Sequence, residues 1–342
     1  QHRWLLRHGG EFRGGLSGLS SVPGTVTPGY APDLDRTRDA IASSTLSHGL
    51  MVLGDRWTTA VLLGAFTGVQ KFEDWRSQLG IPRSTLTDRL KKLVALGMLR
   101  QRVYQERPQR SAYHLTQAGL KLYDQVLMIW MWEKRWGSRK AVLPAKLMHR
   151  PCGHHFVPVL ACSACHHKTG MNDLQLTLKV NHKLLGATAK LVRSSRVSSS
   201  EGVGMGLGLR VDRWSLLIVN AVILGCHYFD QLAYVLGIAS SVLARRLSGM
   251  VDAGLLLCQQ DLNDARRNIY RLTPASRDLF AYLVCFSTWA GRDHLRQPSS
   301  IRPIHKDCGQ PFVPEVVCSA CAQAVKPWDV CFDPPAKTMA TT

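Results

Sequence analysis

Two stretches of this chain carry the same order of apolar and polar positions. In the first, an apolar run from Leu50, Met51, Val52 and Leu53 continues through Thr58 to Phe66, which predicts a buried helix containing Asp55-Arg56-Trp57. A short second helix is predicted over Phe72 to Leu79, stopped by Gly80. Pro82 suits the first turn of a third helix, in which Leu86, Leu90, Leu93 and Leu96 recur at spacings of three and four. That stripe must face a core. Arg83, Ser84, Thr85, Asp88, Arg89 and Lys92 are left on the other side. Gly97 closes the helix, and Met98 to Tyr104 and Ala112 to Leu115 read as strands around a polar, basic turn from Gln105 to Arg110. Thr116 then caps a long helix from Gln117 to about Trp136.

The second stretch repeats this order: Phe229 to Leu236, Ser240 to Met250 with Leu243, Leu247, Met250 and Val251 inward, strands around the turn Asp261 to Asn268, and a final helix starting at Thr273-Pro274. Short motifs confirm the repeat. Asp55-Arg56-Trp57 matches Asp212-Arg213-Trp214, Leu79-Gly80-Ile81 matches Leu236-Gly237-Ile238, and Tyr113-x-Leu115-Thr116 matches Tyr270-x-Leu272-Thr273, all at an offset of 157. Three helices, a strand, a basic hairpin and a helix make the order of a winged helix-turn-helix domain. The aromatics of the last helices, Tyr123, Trp130, Trp132 and Trp136 in one and Phe280, Tyr282, Phe286 and Trp289 in the other, fit a core or an interface between the units.

Downstream of each stretch stands a four-donor pattern: His149-x2-Cys152-x9-Cys162-x2-Cys165, and His305-x2-Cys308-x9-Cys318-x2-Cys321 at an offset of 156. Two close pairs of soft thiolates with one imidazole suit tetrahedral Zn2+, and four protein donors leave no open position, so two structural zinc sites are expected, one per repeat. His154, His155, His166 and His167 compete as donors in the first repeat, but Gln310, Pro311, Ala322 and Gln323 replace them in the second, which favours His149 and His305. The expected fold class is therefore α+β, mainly α, with two winged helix-turn-helix domains each followed by a small zinc-ribbon-like knuckle. The division is 1–36, a disordered N-terminal segment rich in Gly, Ser and Arg; 37–137, winged helix domain 1; 145–180, knuckle 1; 181–200, a linker; 201–293, winged helix domain 2; 301–334, knuckle 2; and 335–342, a tail. Gly202, Gly204, Gly206 and Gly208 weaken the helix that should precede Asp212, at ~1 kcal/mol each against Ala.

Composition narrows the function. Across 342 residues, 43 Lys and Arg against 24 Asp and Glu leave a formal charge of +19, which favours a polyanionic partner, nucleic acid before an anionic membrane. The apolar stretch from Trp214 to Cys226 is broken by Asn220 and falls short of the ~20 residues of a membrane span, so no membrane partner is expected. Of the ten cysteines, six stand in CxxC and HxxC pairs, which fits metal thiolates in a reducing cytoplasm. Cys226, Cys258 and Cys285 sit in apolar context and read as buried thiols; Cys331 lies outside the pattern. The first residue is Gln rather than Met, which fits a reading frame that begins further upstream.

At Gly54-Asp55-Arg56-Trp57, Phe72-x2-Trp75-x3-Leu79-Gly80-Ile81, Thr85-Leu86-x2-Arg89-Leu90 and Tyr113-x-Leu115-Thr116-x2-Gly119, the sequence resembles the HxlR-type family of bacterial transcriptional regulators, close in fold to MarR-type winged helices. The match covers about 90 residues in each half. The resemblance implies a regulator whose two halves form a covalent pseudo-dimer, in place of the family's homodimer on a palindromic operator. It departs from the family at Ser44 and Glu201, where many members carry a cysteine used in thiol sensing.

Double-stranded DNA is thus the expected partner, in the bacterial nucleoid, with no catalysis. Base-reading donors are expected from Arg83, Ser84, Thr85, Asp88, Arg89 and Lys92 in one half and Ser240, Ser241, Arg245 and Arg246 in the other. Val242 and Gly249 replace Thr85 and Lys92, so the two half-sites should differ. Wing residues Arg107, Gln109 and Arg110, and Arg266, Arg267 and Asn268, are expected on phosphates or in the minor groove. An alternative keeps the same domains but makes the protein a zinc- or redox-responsive sensor, in which loss of metal or oxidation of thiols releases DNA. A redox role for CxxC alone would not need the His-x2-Cys arms, and a zinc hydrolase is disfavoured by the closed donor sets and the lack of a His-Glu-x-x-His motif. A small-molecule effector would be sought between the last helices.

Overall fold

The protein is described by a computed structural model over residues 25–26, 32–137, 144, 146–186 and 212–332. The Gly-rich stretch before Asp212, Glu201, most of the N-terminal segment and the C-terminal tail lie outside these residues. The first helix, α1 (Leu34–Ala42), is capped by Asp33, whose carboxylate accepts from the amide of Arg36 at 3.1 Å. Order therefore begins inside the segment expected to be disordered through residue 36.

The apolar run expected to form one helix forms two, α2 (Thr45–Leu53) and α3 (Arg56–Phe66). Ser44 caps the first through the amide of Ser47, at 3.1 Å. The break lies at Gly54-Asp55: a Cβ on Gly54 would sit 2.4 Å from the Leu50 carbonyl oxygen, and Asp55 turns extended to cap α3 through Thr58 N at 2.9 Å. Continuous hydrophobicity hid this break because both helices are buried. Helix α4 (Phe72–Leu79) then ends on left-handed Gly80, as expected, and α5 (Arg83–Ala95) follows. Trp75 of α4 is fully buried, and its indole donates to the Val61 carbonyl at 3.2 Å. It can lie so close because Gly64 faces it; a Cβ there would stand 2.4 Å from Nε1. In the second half the corresponding pair is Ala221 and Leu232, a larger residue against a smaller one, both fully buried.

The wing of the first half is the antiparallel pair β2 (Leu99–Gln105) and β3 (Arg110–Leu115), with Leu99 opposite Leu115; β1 is Thr25–Val26. The single long helix expected from Gln117 is divided into α6 (Gln117–Leu120) and α7 (Tyr123–Trp136). The second half runs α8 (Arg213–Ile223), α9 (Phe229–Leu236), α10 (Ser240–Asp252), β8 (Leu256–Gln260), β9 (Asn268–Leu272) and α11 (Pro274–Trp289), whose end continues as a π-helical turn over Ala290–Leu295. Here Pro274 starts one unbroken helix, its missing N–H being one the first turn does not need.

The two halves share one core. Helix α7 lies along α11, where the Trp132 indole donates to the Ala275 carbonyl at 2.7 Å and the Trp136 indole to Asp278 at 2.8 Å. The aromatics of these helices are thus largely interior: Tyr123, Trp130, Trp132, Phe280, Tyr282, Phe286 and Trp289 are all buried. Full burial of a side chain of this class stabilises by about 1.5–3 kcal/mol, so the helix pair is a main source of cohesion between the repeats. Helix α1 packs on α9 of the opposite half, where the Arg38 guanidinium stands 5.0 Å over the Tyr234 ring.

The two segments expected to form knuckles are interlocked. Strand β6 (Pro158–Cys162) pairs antiparallel with β11 (Pro314–Cys318) in a register that sets Leu160 opposite Val316, the two positions that the 156-residue offset makes equivalent. Strand β7 (Leu174–Leu178) of the first repeat pairs with β10 (Ile301–His305) of the second, and β4 (Leu147–His149) pairs with both β5 (His154–Phe156) and β12 (Val330–Phe332). Each knuckle is therefore built from both repeats.

Candidate nucleic-acid interface and metal centres

Helix α5 presents its apolar stripe inward, with Leu86, Leu90 and Leu93 at most 1% exposed. Arg83, Ser84 and Asp88 stand exposed on the other face, with Thr85 at its edge. Arg89 does not join them. Its Nε donates to Asp55 at 2.7 Å, and Lys92 reaches the same carboxylate at 3.8 Å. One aspartate thus caps α3 and holds α5 against it. Burial pulls the Lys92 ammonium below its usual range, with Asp55 working in the opposite direction. The second half repeats the device: Asp212 caps α8 through the amide of Ser215 at 3.0 Å and is paired with the Arg246 guanidinium. The arginines expected to read bases, Arg89 and Arg246, are placed as ties between helices.

In the second half Ser240, Ser241 and Arg245 remain exposed on α10. The wings differ as well. Arg107, Gln109 and Arg110 are exposed, and neither arginine makes an ion pair among the described residues. Opposite them, Arg266 is 93% exposed beside Asp264, while Arg267 is held by Asp230 at 2.8 Å over the Tyr228 ring; Asn268 is exposed. Arg100 and Arg102 on β2 are exposed cations that sequence reasoning passed over. Their spacing of two beside a basic turn was the available signal, and Leu257 and Gln259 occupy the same places in the second wing.

The eight expected metal donors come together in two clusters, but not one per repeat. His149 and Cys152 meet Cys318 and Cys321, and His305 and Cys308 meet Cys162 and Cys165, each set with its donor atoms within 4.8 Å of one another. The expected grouping within each repeat is overturned by the strand pairing. The β6–β11 ladder carries each CxxC turn across to the opposite His-x2-Cys arm.

The spacing fits a tetrahedral ion. With Zn–S of ~2.3 Å and Zn–N of ~2.0–2.1 Å, tetrahedral edges come to about 3.8 Å for sulfur–sulfur and about 3.5 Å for nitrogen–sulfur. Cys152 and Cys318 Sγ are 3.9 Å apart, and His149 Nδ1 lies 3.4 Å from both Cys152 and Cys321 Sγ. In the other cluster His305 Nδ1 lies 3.3 Å from Cys165 and Cys308 Sγ. Every donor pair is followed by a left-handed residue, Gly153, His166, Gly309 or Ala322, which turns the chain back over the donors. That conformation is unfavourable for His166 and Ala322, and the knuckle turn imposes it. Burial opposes ionisation of the Cys162 thiol, yet amides of Ala164 and Cys165 aimed at its sulfur bring it below the usual thiol range. The amide of Gln323 leads the same shift at Cys321. Donors, edges and turns all suit zinc, which would be held by these eight residues.

The remaining thiols divide. Cys226 and Cys285 are buried, and burial pushes Cys226 up to about 12, which makes it a poor nucleophile. Cys258, expected to be buried, is exposed on β8, because a two-stranded wing has no layer beyond it. Among the described residues no helix is long and apolar enough to cross a membrane.

Comparison with known proteins agrees with the duplicated architecture. The family described as HxlR-like helix-turn-helix matches residues 52–141 and again residues 210–298. An uncharacterised helix-turn-helix-type transcriptional regulator of Mycobacterium tuberculosis strain CDC 1551 is 38% identical over 134 residues, which are 36% of this chain and 85% of that protein. Its counterparts in Mycobacterium bovis and in M. tuberculosis strain H37Rv are each 37% identical over the same coverage. A solved structure of a candidate transcription factor from Pseudomonas aeruginosa is 32% identical, covers 29% of this chain and 68% of its own, and has a TM-score of 0.24.

Proposed function

Since the chain belongs, in both of its halves, to the HxlR-like helix-turn-helix family of transcriptional regulators, we propose that the halves act as a covalent pseudo-dimer on one stretch of double-stranded DNA. Helices α5 and α10 enter successive major grooves about one helical turn apart. The observation that carries this reading is the pair of equivalent helices that bury one stripe and expose a polar, basic face, each beside a wing.

The contacts are unequal. Arg83, Ser84, Thr85 and Asp88 serve one half-site, with Lys92 at its margin. Ser240, Ser241 and Arg245 serve the other. Arg89 and Arg246 act through Asp55 and Asp212, as positioning residues that fix the angle of each reading helix. Arg107, Gln109 and Arg110, with Arg100 and Arg102, take phosphates on one side; Arg266 and Asn268, with Arg267 behind them, do so on the other. A bound zinc ion would add rigid tetrahedral links between the donor arms, and the protein residues do the rest: the ladders and the α7–α11 pair hold the heads at a set separation.

Selection of retained sequences from a random duplex library by the zinc-loaded protein, over a salt series, tests this. A bipartite motif with unlike halves is expected. Salt-sensitive binding without a motif would sink the sequence-specific reading. Arg110→Ala should weaken all duplexes alike and reduce the salt slope by about one.

A further inference from the structure

The two donor clusters are alike in their sulfurs and unlike behind their histidines. His305 is backed: its Nε2 lies 3.3 Å from the Thr169 hydroxyl and 3.8 Å from the Asp307 carboxylate. Thr169 has a single hydroxyl proton, and it donates that proton to the His167 carbonyl at 2.9 Å. Toward the ring the hydroxyl can only accept, so Nε2 carries the ring proton and the Nδ1 lone pair faces the sulfurs. The tautomer needed for metal binding is thereby fixed.

His149 is not backed. Its Nδ1 faces the sulfurs in the same way, but Nε2 is buried with no hydrogen-bond partner among the described residues. The cause is two exchanges between the repeats. Val325 stands where Thr169 stands, as the ladder shows: the amide of Thr169 donates to Leu160 and the amide of Val325 to Val316, both at 2.9 Å. Pro151 stands where Asp307 stands, 156 positions away. Neither replacement can accept a proton from the ring.

We propose that the two clusters hold their ions unequally. The His305 cluster is a permanent structural site, and the His149 cluster is a labile one that gains and loses its ion with the supply of divalent zinc. This rests on the reading that the clusters bind zinc at all. Hydrogen-bonded partners of a ligating histidine are worth about 10- to 100-fold in metal affinity, so a gap of at least about tenfold is expected. Each cluster joins the two repeats, so release from the His149 site opens one of two metal links and leaves the other closed. The ladders and the α7–α11 pair keep the repeats joined, so this loss of metal leaves the fold intact.

The test is competition of the full-length, zinc-loaded protein against a chromogenic chelator, with metal content measured throughout. Wild type should release one equivalent at about tenfold less chelator than the second. Cys165→Ser should leave only the weak step and Cys321→Ser only the tight one. Val325→Thr, nearly the same in shape, should move the weak step toward the tight one, and Thr169→Val should do the reverse. Release of both ions together in wild type, unchanged by Val325→Thr, overturns the proposal, as does a tight step that survives Cys165→Ser. A protein that takes up no zinc under any loading condition instead removes the metal reading on which the proposal rests.

Discussion

Asp55 and Asp212 each do two things, capping one helix and holding an arginine of the helix after the next, and that double use ties α3 to α5 and α8 to α10. Arg89→Ala should lower stability by about 1–3 kcal/mol, because it leaves a partly buried carboxylate with only the more distant Lys92 ammonium, at 3.8 Å, as a charged partner. The expected readout is a fall in the melting temperature of the free protein. Arg83 is exposed, so Arg83→Ala should leave melting unchanged while it weakens binding to the selected duplex. If Arg89→Ala melted like wild type and lost only base preference, the positioning role would be wrong. The exposed face of α5 was legible in the sequence from the leucine spacing alone. The withdrawal of Arg89 from it was not, because a partner 34 residues away decides where a long side chain points.

At the scale of elements, the sequence shows where helices and strands lie more readily than where they break. The division of α2 from α3 depends on one glycine and one capping carboxylate inside an apolar run. By contrast Gly80, Pro82 and Thr273-Pro274 mark their boundaries openly. The seating of α2 against the π-helical turn has a further consequence. His48 on α2 and His294 in the turn both have pKa values lowered from 6.5, chiefly by burial, with His294 adding to the effect at His48. The unfolded chain takes up these protons near its ordinary pKa, and the native protein resists them. Their contribution to stability is therefore complete above about pH 6.5 and is lost as pH falls below it. Melting temperature should decline from pH 7.5 to pH 5.5, and His48→Gln should make that decline shallower. An equal slope in the variant would show that other groups carry it.

For the whole molecule, the repeat was plain and the exchange between repeats was not. Within a duplicated chain a donor arm has two equivalent CxxC turns to choose from, and spacing along the sequence is silent about the choice. Only the pairing of β6 with β11 decides it. Metal counting distinguishes the two arrangements. His149→Ala with Cys321→Ser removes two donors from one cluster and should leave one zinc per chain. His149→Ala with Cys165→Ser damages both clusters and should leave none. The reverse result would restore the grouping within each repeat.

The exchange also sets an order in time. As the chain leaves the ribosome, His149, Cys152, Cys162 and Cys165 emerge long before their counterparts, since the second set of donors ends 156 residues later. At ~5–20 residues per second this is a delay of about 8–30 s. Throughout it, neither native donor set is complete, and the four early donors have only one another and the neighbouring His154, His155, His166 and His167 for company. Maturation of this protein is therefore a matter of waiting for its second repeat, and neither donor set can close before that repeat has been made.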